Sequence, residues 1–469
     1  MNDWINDLKK VLPNGQFSKS RKDLLNHSCD SWSVSIKQKH QGKTELSPDL
    51  VFYPQSDQEI SKILVWAKKS RIPVTPWGFG SSVTGAPLPL SGGVSLDMSH
   101  MDKIINLDQN NLHVTVEAGI CGKELENYLN SKKLTLNHSP QSLHRSTPGG
   151  WFATRATGQF SSRYGGIENL ILGINVVIPN GEIIKIKPAI RASMGPDLKE
   201  VFLGAEGAMG VVTQLTLKIF PFPEKQIFES ICFDSVLTGI HTMQKIMQAG
   251  LRPFLMRFYD EDESIYVTKN ENFTGSIMFL GFEGRAMVTK AEYETALEFC
   301  RDAGGLVLGP ELAHNWMSRR FDYSTIDNII SKPGGLAETL EVAHFWTDIY
   351  STYQELKKTL VEYVDEVFGH FSHAYPQGTS LYMILLNKKE SDKGPEVAEE
   401  KLRKIWNVVH EVTSRTGAMA AHHHGVGIAR LPIIEKELGN GLAILQQIKK
   451  AMDPSNILCP GKLGLSKFS

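Results

Sequence analysis

The sequence predicts an α+β protein with more than one domain, and three observations carry that expectation. A β-α-β unit spans Leu50 to Thr75 and runs straight into a glycine-rich loop. Strand-like segments follow, with strict alternation at Leu112–Ala118 and again at Leu215, Leu217 and Ile219. At 469 residues the chain is too long for one ordinary core.

Each element has its own signal. Leu50–Tyr53 reads as a short strand. Ser56-Asp57-Gln58-Glu59 is a capping-box pattern, and Ile60, Ile63, Leu64 and Ala67 then repeat at helical spacing. Ile72–Thr75 and Val94–Met98 read as further strands. Gly122–Ser131 reads as a helix with Leu125, Tyr128 and Leu129 inward. Residues 1–44 form a polar leader without long periodicity, and Pro221-Phe222-Pro223 marks a boundary.

Bulk properties exclude several classes. Hydrophobic residues make up 41% and charged residues 22%, the mix of a soluble globular protein. A net charge of -1 supplies no field for nucleic acid or an anionic membrane. Five scattered cysteines, with no Cys-x-x-Cys pair, argue against a disulfide framework or zinc site and for a reducing compartment. The start lacks the apolar core of a secretory signal, and no run approaches the ~18 residues needed to span a bilayer. Lys467, Phe468 and Ser469 do not make a Ser-Lys-Leu address, so the expected location is cytoplasmic.

Three loops carry the chemistry. The first is Pro76, Trp77, Gly78, Phe79, Gly80, Ser81 and Ser82, running on to Gly85. Its glycines allow close backbone approach, and successive N–H groups in such a turn suit a pyrophosphate. Alone, it fits a ligand-free turn equally well. It is not the Rossmann fingerprint, because no helix follows. The second loop holds Gln141, Ser142, Leu143, His144, Arg145, Ser146 and Thr147, leading to Thr154, Arg155, Ala156 and Thr157. The third is Glu206, Gly207, Ala208, Met209, Gly210, Val211 and Val212. In this order and spacing the three loops point to a dinucleotide.

The stretches Tyr53-Pro54, Pro76–Ser82, Val116-Glu117-Ala118-Gly119 and Gly204-Ala205-Glu206-Gly207 resemble the FAD-binding domain shared by vanillyl-alcohol oxidase, p-cresol methylhydroxylase and the glycolate-oxidase D-subunit group. Within that superfamily, Ser146–Gly158, Ser193–Asp197, Leu381-Tyr382, Ala421–Gly427 and Met452–Ile457 are most similar to alkylglycerone-phosphate synthase. The resemblance implies a two-subdomain FAD-binding domain of the p-cresol-methylhydroxylase type over 45–225. A cap with an antiparallel sheet is implied over 226–415, and a segment returning to the flavin over 416–469. It implies FAD held without a covalent link by the three loops, with Glu206–Val212 included. It also implies a catalytic set of Tyr382, His422, His423, His424 and Arg257.

That family exchanges the acyl group of acyl-dihydroxyacetone phosphate for a fatty alcohol, the flavin holding the ketone fragment through N5. Such chemistry needs a base beside the carbonyl, cations for the oxyanion and phosphate, and a dry flavin face. Tyr382 requires nearby positive charge to lower its pKa from about 10, and the histidines and Arg257 are the candidates to supply it. Otherwise Tyr382 reads as a packed strand tyrosine and Arg257 as a surface arginine in a helix–strand connection. An extended His422-His423-His424 puts the outer two on one side, so it is not a three-ligand metal site. His373 falls outside the catalytic set.

Three departures stand against the family pattern: Phe79 within the first loop, Gln141 at a commonly acidic position, and Asp327 where a substrate-binding arginine is expected. Arg319 or Arg320 would have to substitute. The alternatives are an FAD-dependent 2-hydroxyacid dehydrogenase of the glycolate or D-lactate type, and a flavin-binding protein without turnover. Partners are a small-molecule or lipid substrate and no nucleic acid, with peripheral membrane contact and a homodimer left open.

Overall fold

The computed structural model describes residues 3–43 and 45–465, so Lys467, Phe468 and Ser469 lie outside the described residues. The N-terminal lobe contains two main sheets and a two-stranded pair, Leu134–Thr135 with Phe220–Pro221. In the first, Gln16–Ser18, Leu50–Tyr53, Val94–Asp97 and Val74–Trp77 lie side by side in that order, the last three mutually parallel. The crossover is the helix Asp57–Ser70. Ser56 caps it by accepting from the Glu59 N–H at 3.3 Å, while the Glu59 carboxylate reaches back to the Gln55 N–H at 2.8 Å. Ile60, Ile63, Leu64 and Ala67 are buried as their spacing requires. Each large apolar side chain among them contributes about 1.5–3 kcal/mol on leaving water. The next strand starts at Val74, two residues later than expected. The Ile72 N–H still donates to the helix at Ala67 O, and Pro73 separates it from the strand.

The second sheet is antiparallel, ordered Ile104–Asp108, His113–Glu117, Val211–Lys218, Ile171–Val177, Ile183–Ile186. The helix Gly122–Ser131 packs on it through Leu125 and Leu129, with Tyr128 half-buried. The leader contributes structure of its own. Helix Asp3–Val11 buries Ile5 and Leu8 against Asp57–Ser70, and helix Ser33–His40 packs on Pro395–Thr416 of the cap.

The cap is a seven-stranded antiparallel sheet, ordered Leu306–Gly309, Lys225–Phe233, Ser276–Gly284, Leu255–Tyr259, Glu366–Ser372, Gly378–Asn387, Leu336–Phe345. Side chains alternate across it. Met256, Phe258, Phe371, Leu381, Met383 and Leu385 enter the core under the helices, whereas Arg257, Tyr259, His370, Ser372, Tyr382 and Ile384 face a cavity. Arg257 therefore sits mid-strand, not in a helix–strand connection. After Thr416 the chain returns to the first lobe, where Leu458 bridges Val74 in parallel and the buried Lys449 ammonium donates to the carbonyls of Ala208 and Leu458. No described helix is long and apolar enough to cross a membrane.

Candidate active site

The first glycine loop leaves the strand Val74–Trp77 and binds nothing with its amides. Among the described residues, the N–H groups of Gly78, Phe79, Gly80, Ser81 and Ser82 donate to no protein atom. Five successive free donors at a strand end form an anion nest. Gly80 holds φ +65°, and a Cβ there would meet the Trp77 ring at 2.6 Å. The leader braces the loop from behind. Asp30 accepts from the Gly85 N–H at 2.9 Å, and the Ser31 N–H donates to Ser82 O at 2.9 Å. Phe79 is 38% exposed and lines the cavity without filling the nest.

All three loops open on one cavity of about 1290 Å³, which lies between the lobe and the cap sheet. That exceeds the roughly 300–1,000 Å³ of pockets for drug-sized ligands and suits a dinucleotide plus substrate. Pro76–Ser82, Gln141, Ser142, Arg145, Ser146, Thr147, Thr154, Ala156, Thr157, Glu206, Gly207, Gly210, Val211 and Val212 line it. Five expected contacts do not. Leu143, Ala208 and Met209 are core residues, His144 packs its ring 4.6 Å from Phe321, and Arg155 is an exposed helix cap with φ +55°. In the sequence these positions share the loops' small-residue and glycine context with the true lining, whereas in the fold their side chains support the turns from beneath or point away. Glu206 also works outside the cavity. Its carboxylate accepts from the N–H groups of Val426 and Gly427 at 2.6 and 3.0 Å, clamping the returning segment to the lobe.

The triple histidine is a bent loop wound around one carboxylate, not an extended strand. Glu341 Oε1 accepts from the N–H groups of His422, His423 and His424 at 3.2, 2.9 and 2.7 Å, and Arg430 pairs with its other oxygen. Burial would raise the Glu341 pKa, but Arg430, His424 and these amides hold it below the ordinary carboxylate range. The expected alternation of faces is thereby lost. His423 and His424 line the cavity, and His422 turns away to meet the Tyr375 hydroxyl at 2.9 Å.

The charges also differ from expectation. Burial lowers His422 and His424 to about 4, and lowers His423 well below its ordinary value. The imidazoles are therefore neutral at pH 7 and supply no positive charge to Tyr382. Burial pushes the Tyr382 phenol well above 10, so it is a protonated donor. Arg257 is the cation that remains. Its Nε donates to the Tyr259 hydroxyl at 2.9 Å, and its Nη2 meets His370 Nε2 at 2.7 Å.

Two histidines belong to this cluster although sequence spacing does not mark them. His373, outside the expected set, lies 5.3 and 4.8 Å from the His422 and His423 rings and shares a 2.7 Å hydrogen bond with Ser161. His370 stacks on Tyr382 at 4.9 Å and is held through Nδ1 by Glu263 at 3.0 Å. The only local hint is a Ser-His-Ala-Tyr turn; the register that pairs His370 with Tyr382 is set by two strands meeting in space. Among the described residues, no three His, Cys, Asp or Glu side chains converge as a metal cage.

Comparison with known proteins agrees with this geometry. The FAD binding domain family matches residues 48–187, and the family of FAD linked oxidases, C-terminal domain, matches residues 222–463. The FAD-linked oxidoreductase YgcU of Escherichia coli (strain K12) is 30% identical over 424 residues, 87% of each chain. Alkyldihydroxyacetonephosphate synthase of Dictyostelium discoideum is 26% identical over 98% of this chain and 78% of its own. A solved alkyldihydroxyacetonephosphate synthase superposes with a TM-score of 0.83 at 22% identity, covering 98% of this chain and 86% of its own. A substrate-bound p-cresol methylhydroxylase superposes at 0.82 with 14% identity, covering 99% and 97%. The two family matches, together covering most of the chain, place it in the FAD-linked oxidase family, as a flavoenzyme with the fold of p-cresol methylhydroxylase and similar to alkyldihydroxyacetonephosphate synthase.

Proposed function

We propose that this flavoenzyme carries out an alkyl-for-acyl exchange of the alkylglycerone-phosphate synthase type. The observation that carries the reading is the lining of the cavity. Besides Tyr382 and His424 it includes the apolar side chains Ile265, Val267, Ile326, Phe368 and Ile384. A two- or three-carbon hydroxy acid makes little use of such apolar surface, whereas a fatty acyl or alkyl chain does.

The first-loop amides would hold the diphosphate of FAD, with Thr147 and Glu206–Gly207 closing the cradle. Bound FAD would supply at N5 an electron-poor atom against the substrate carbon. The chain's own groups do the rest. A neutral imidazole, His423 or His424, accepts the proton from carbon beside the carbonyl. The Tyr382 hydroxyl donates to the developing oxyanion, and Arg257 adds positive charge to it. The exchange breaks the carbon–oxygen bond to the carboxylate and makes one to the alcohol oxygen. The alcohol's proton leaves with the acid, and no electrons are gained or lost.

A non-covalent flavin fits the same reading: Cys121 and His144, the cysteine and histidine beside the second loop that could carry a covalent link, are absent from the cavity wall, and Cys121 Sγ instead donates to His144 O at 3.6 Å. Acid denaturation is expected to release all the yellow colour. The decisive test supplies FAD-loaded protein with palmitoyl-dihydroxyacetone phosphate and labelled hexadecanol. An ether product with release of palmitate supports the proposal. No exchange, together with anaerobic flavin bleaching by D-lactate or glycolate, replaces it with the hydroxyacid dehydrogenase reading.

A further inference from the structure

Glu263 and His370 lie against the chemistry but have no part in it so far. Glu263 belongs to the cap helix Glu261–Thr268, whose capping residue Asp260 accepts from the Glu263 N–H at 2.9 Å. Its buried carboxyl meets His370 Nδ1 with both oxygens at 3.0 Å. Among the described residues it pairs with no lysine or arginine, since Lys357 is committed to Asp260 and Asp262. The other ring nitrogen, His370 Nε2, meets Arg257 Nη2 at 2.7 Å, and the ring face stacks on Tyr382 with centroids 4.9 Å apart. Arg257 itself joins no ion pair among the described residues; Tyr259 and His370 hold it.

This geometry fixes one proton. A guanidinium has donors only, so the nitrogen facing Arg257 must be a lone pair. The ring proton of His370 therefore sits on Nδ1 and points at Glu263. A second proton would be aimed at Arg257, and burial together with the Arg257 charge holds the ring neutral. His370 is thus a spacer with one edge on the guanidinium, the other on a carboxyl, and a face on the phenol. A carboxylate placed directly on Arg257 would occupy its fork and cancel its charge. One imidazole away, a carboxyl orients the arginine through the ring and leaves the fork open to the cavity.

The surroundings isolate the Glu263 proton. Burial raises this carboxyl to about 8, against the opposing charges of Arg257 and Lys357. Of its titratable neighbours, Asp260 is raised to about 6 and is ionised by pH 7, while Tyr259 is raised to about 12 and stays protonated. His370 stays neutral, so Glu263 is the member of this group that changes charge between pH 7 and 9.

We propose that Glu263 and His370 are a positioning pair for the reaction, His370 fixing Arg257 and Tyr382 at the developing oxyanion while the proton kept on Glu263 leaves the charge of Arg257 undivided there. Its consequence for turnover rests on the exchange reading above. The pair itself is tested without turnover.

The first arm follows the His370 ring nitrogens by NMR in FAD-loaded protein labelled with nitrogen-15 histidine, assigned by their loss in His370→Gln. The proposal expects Nδ1 protonated and Nε2 bare, with a shift of Nδ1 centred at about pH 8. That step should vanish in Glu263→Gln and persist in Glu261→Gln, an exposed site on the same helix. The second arm measures kcat and KM for alkyl exchange against pH. The parent kcat should fall roughly tenfold above the same midpoint, as the Glu263 anion offsets Arg257, with KM and flavin content steady. Glu263→Gln, whose amide oxygen still accepts from Nδ1, should give a flat profile. Glu263→Leu releases the ring and should be slower at every pH than Glu263→Gln. A merely structural Glu263 would lower stability in both variants without moving the alkaline limb. A protonated Nε2 in the parent, the absence of a Glu263-dependent step, or an alkaline limb that survives in Glu263→Gln overturns the proposal. Should Glu263→Leu not fold, the limb in Glu263→Gln decides. A Glu263-dependent step without any exchange sinks the reaction and spares the pair; exchange with the limb unmoved does the reverse.

Discussion

The two walls of the cavity recognise ligands by different means. On the N-terminal lobe the donors are main-chain amides, five in a row from Gly78 to Ser82. On the cap they are side chains, with Arg257, His370 and Tyr382 on three neighbouring strands and His423 and His424 on a loop held by Glu341. A backbone site tolerates a changed side chain but not an added Cβ in the wrong place. A side-chain site has the opposite weakness. That contrast explains why Phe79 and Gln141 depart from the family pattern without blocking the cradle.

The largest effect should follow an assault on the backbone wall. Gly80→Val adds a Cβ at a positive φ and 2.6 Å from Trp77, so the loop must move and the nest must open. We expect protein that elutes as folded but colourless, read as the ratio of flavin to protein absorbance, with far-ultraviolet circular dichroism preserved. Phe79→Gly is the companion: its flavin content should stay within about twofold of the parent, because only a side chain is lost. A colourless Phe79→Gly would mean that the ring, not the amides, holds the cofactor.

On the side-chain wall the expected outcome is reversed. Tyr382→Phe should keep its flavin and lose roughly 10²–10⁴ in turnover, the range for removing one positioned proton donor. The assay is the alkyl exchange, with flavin content measured on the same sample. Turnover within a factor of a few of the parent would remove Tyr382 from the chemistry and return it to the role of a strand tyrosine.

This contrast also decides what could be read before the fold was known. Glycines and hydroxyl residues at Pro76–Ser82 and Glu206–Val212 announce a backbone site because the requirement is local: positive φ, small side chains and a strand end within a few residues. The cap cluster has no such local requirement. His370 and His373 are ordinary residues until strand pairing sets His370 beside Tyr382 and the bent loop brings His422 and His423 to His373. The shape of that loop was hidden for the same reason, since Glu341, which winds it, lies some 80 residues earlier. Burial, which neutralises the histidines, is likewise a property of the assembled cavity.

Glu341 tests whether the loop is held as a unit. Glu341→Gln removes the charge that Arg430 and three amides share. Breaking a buried pair by removing one partner costs about 3–5 kcal/mol, and urea unfolding should show a loss of that size. Glu341→Gln with Arg430→Met should recover part of it, because no unpaired charge is left behind. Flavin content should fall less than in Gly80→Val, since the cradle lies on the other wall.

The smallest effect is a pH slope, and it separates the cap's carboxyls from its imidazoles. Burial raises Glu338 to about 8, its partners being the Thr339 N–H and Trp406 Nε1. In the unfolded chain it ionises near 4.3. The folded state therefore holds a proton that the unfolded state has lost, and stability falls as pH rises from about 4.3 to about 8. The cavity histidines run the other way: lowered by burial, they cost stability as pH falls below about 6.5. Above 6.5 they are neutral in both states and drop out. Between pH 6.5 and 8 the parent should lose up to about 2 kcal/mol through Glu338, at roughly 1.4 kcal/mol per pH unit. Glu338→Gln should flatten that interval by the same amount in urea midpoints at constant m, and should steepen the acid limb below 6.5, where Glu338 and the imidazoles oppose one another. Glu263 carries a slope of the same sign over this interval, so a partial slope should survive; one wholly undiminished by the substitution takes Glu338 out of the account. Glu263, also raised to about 8 by burial, is then the group to replace.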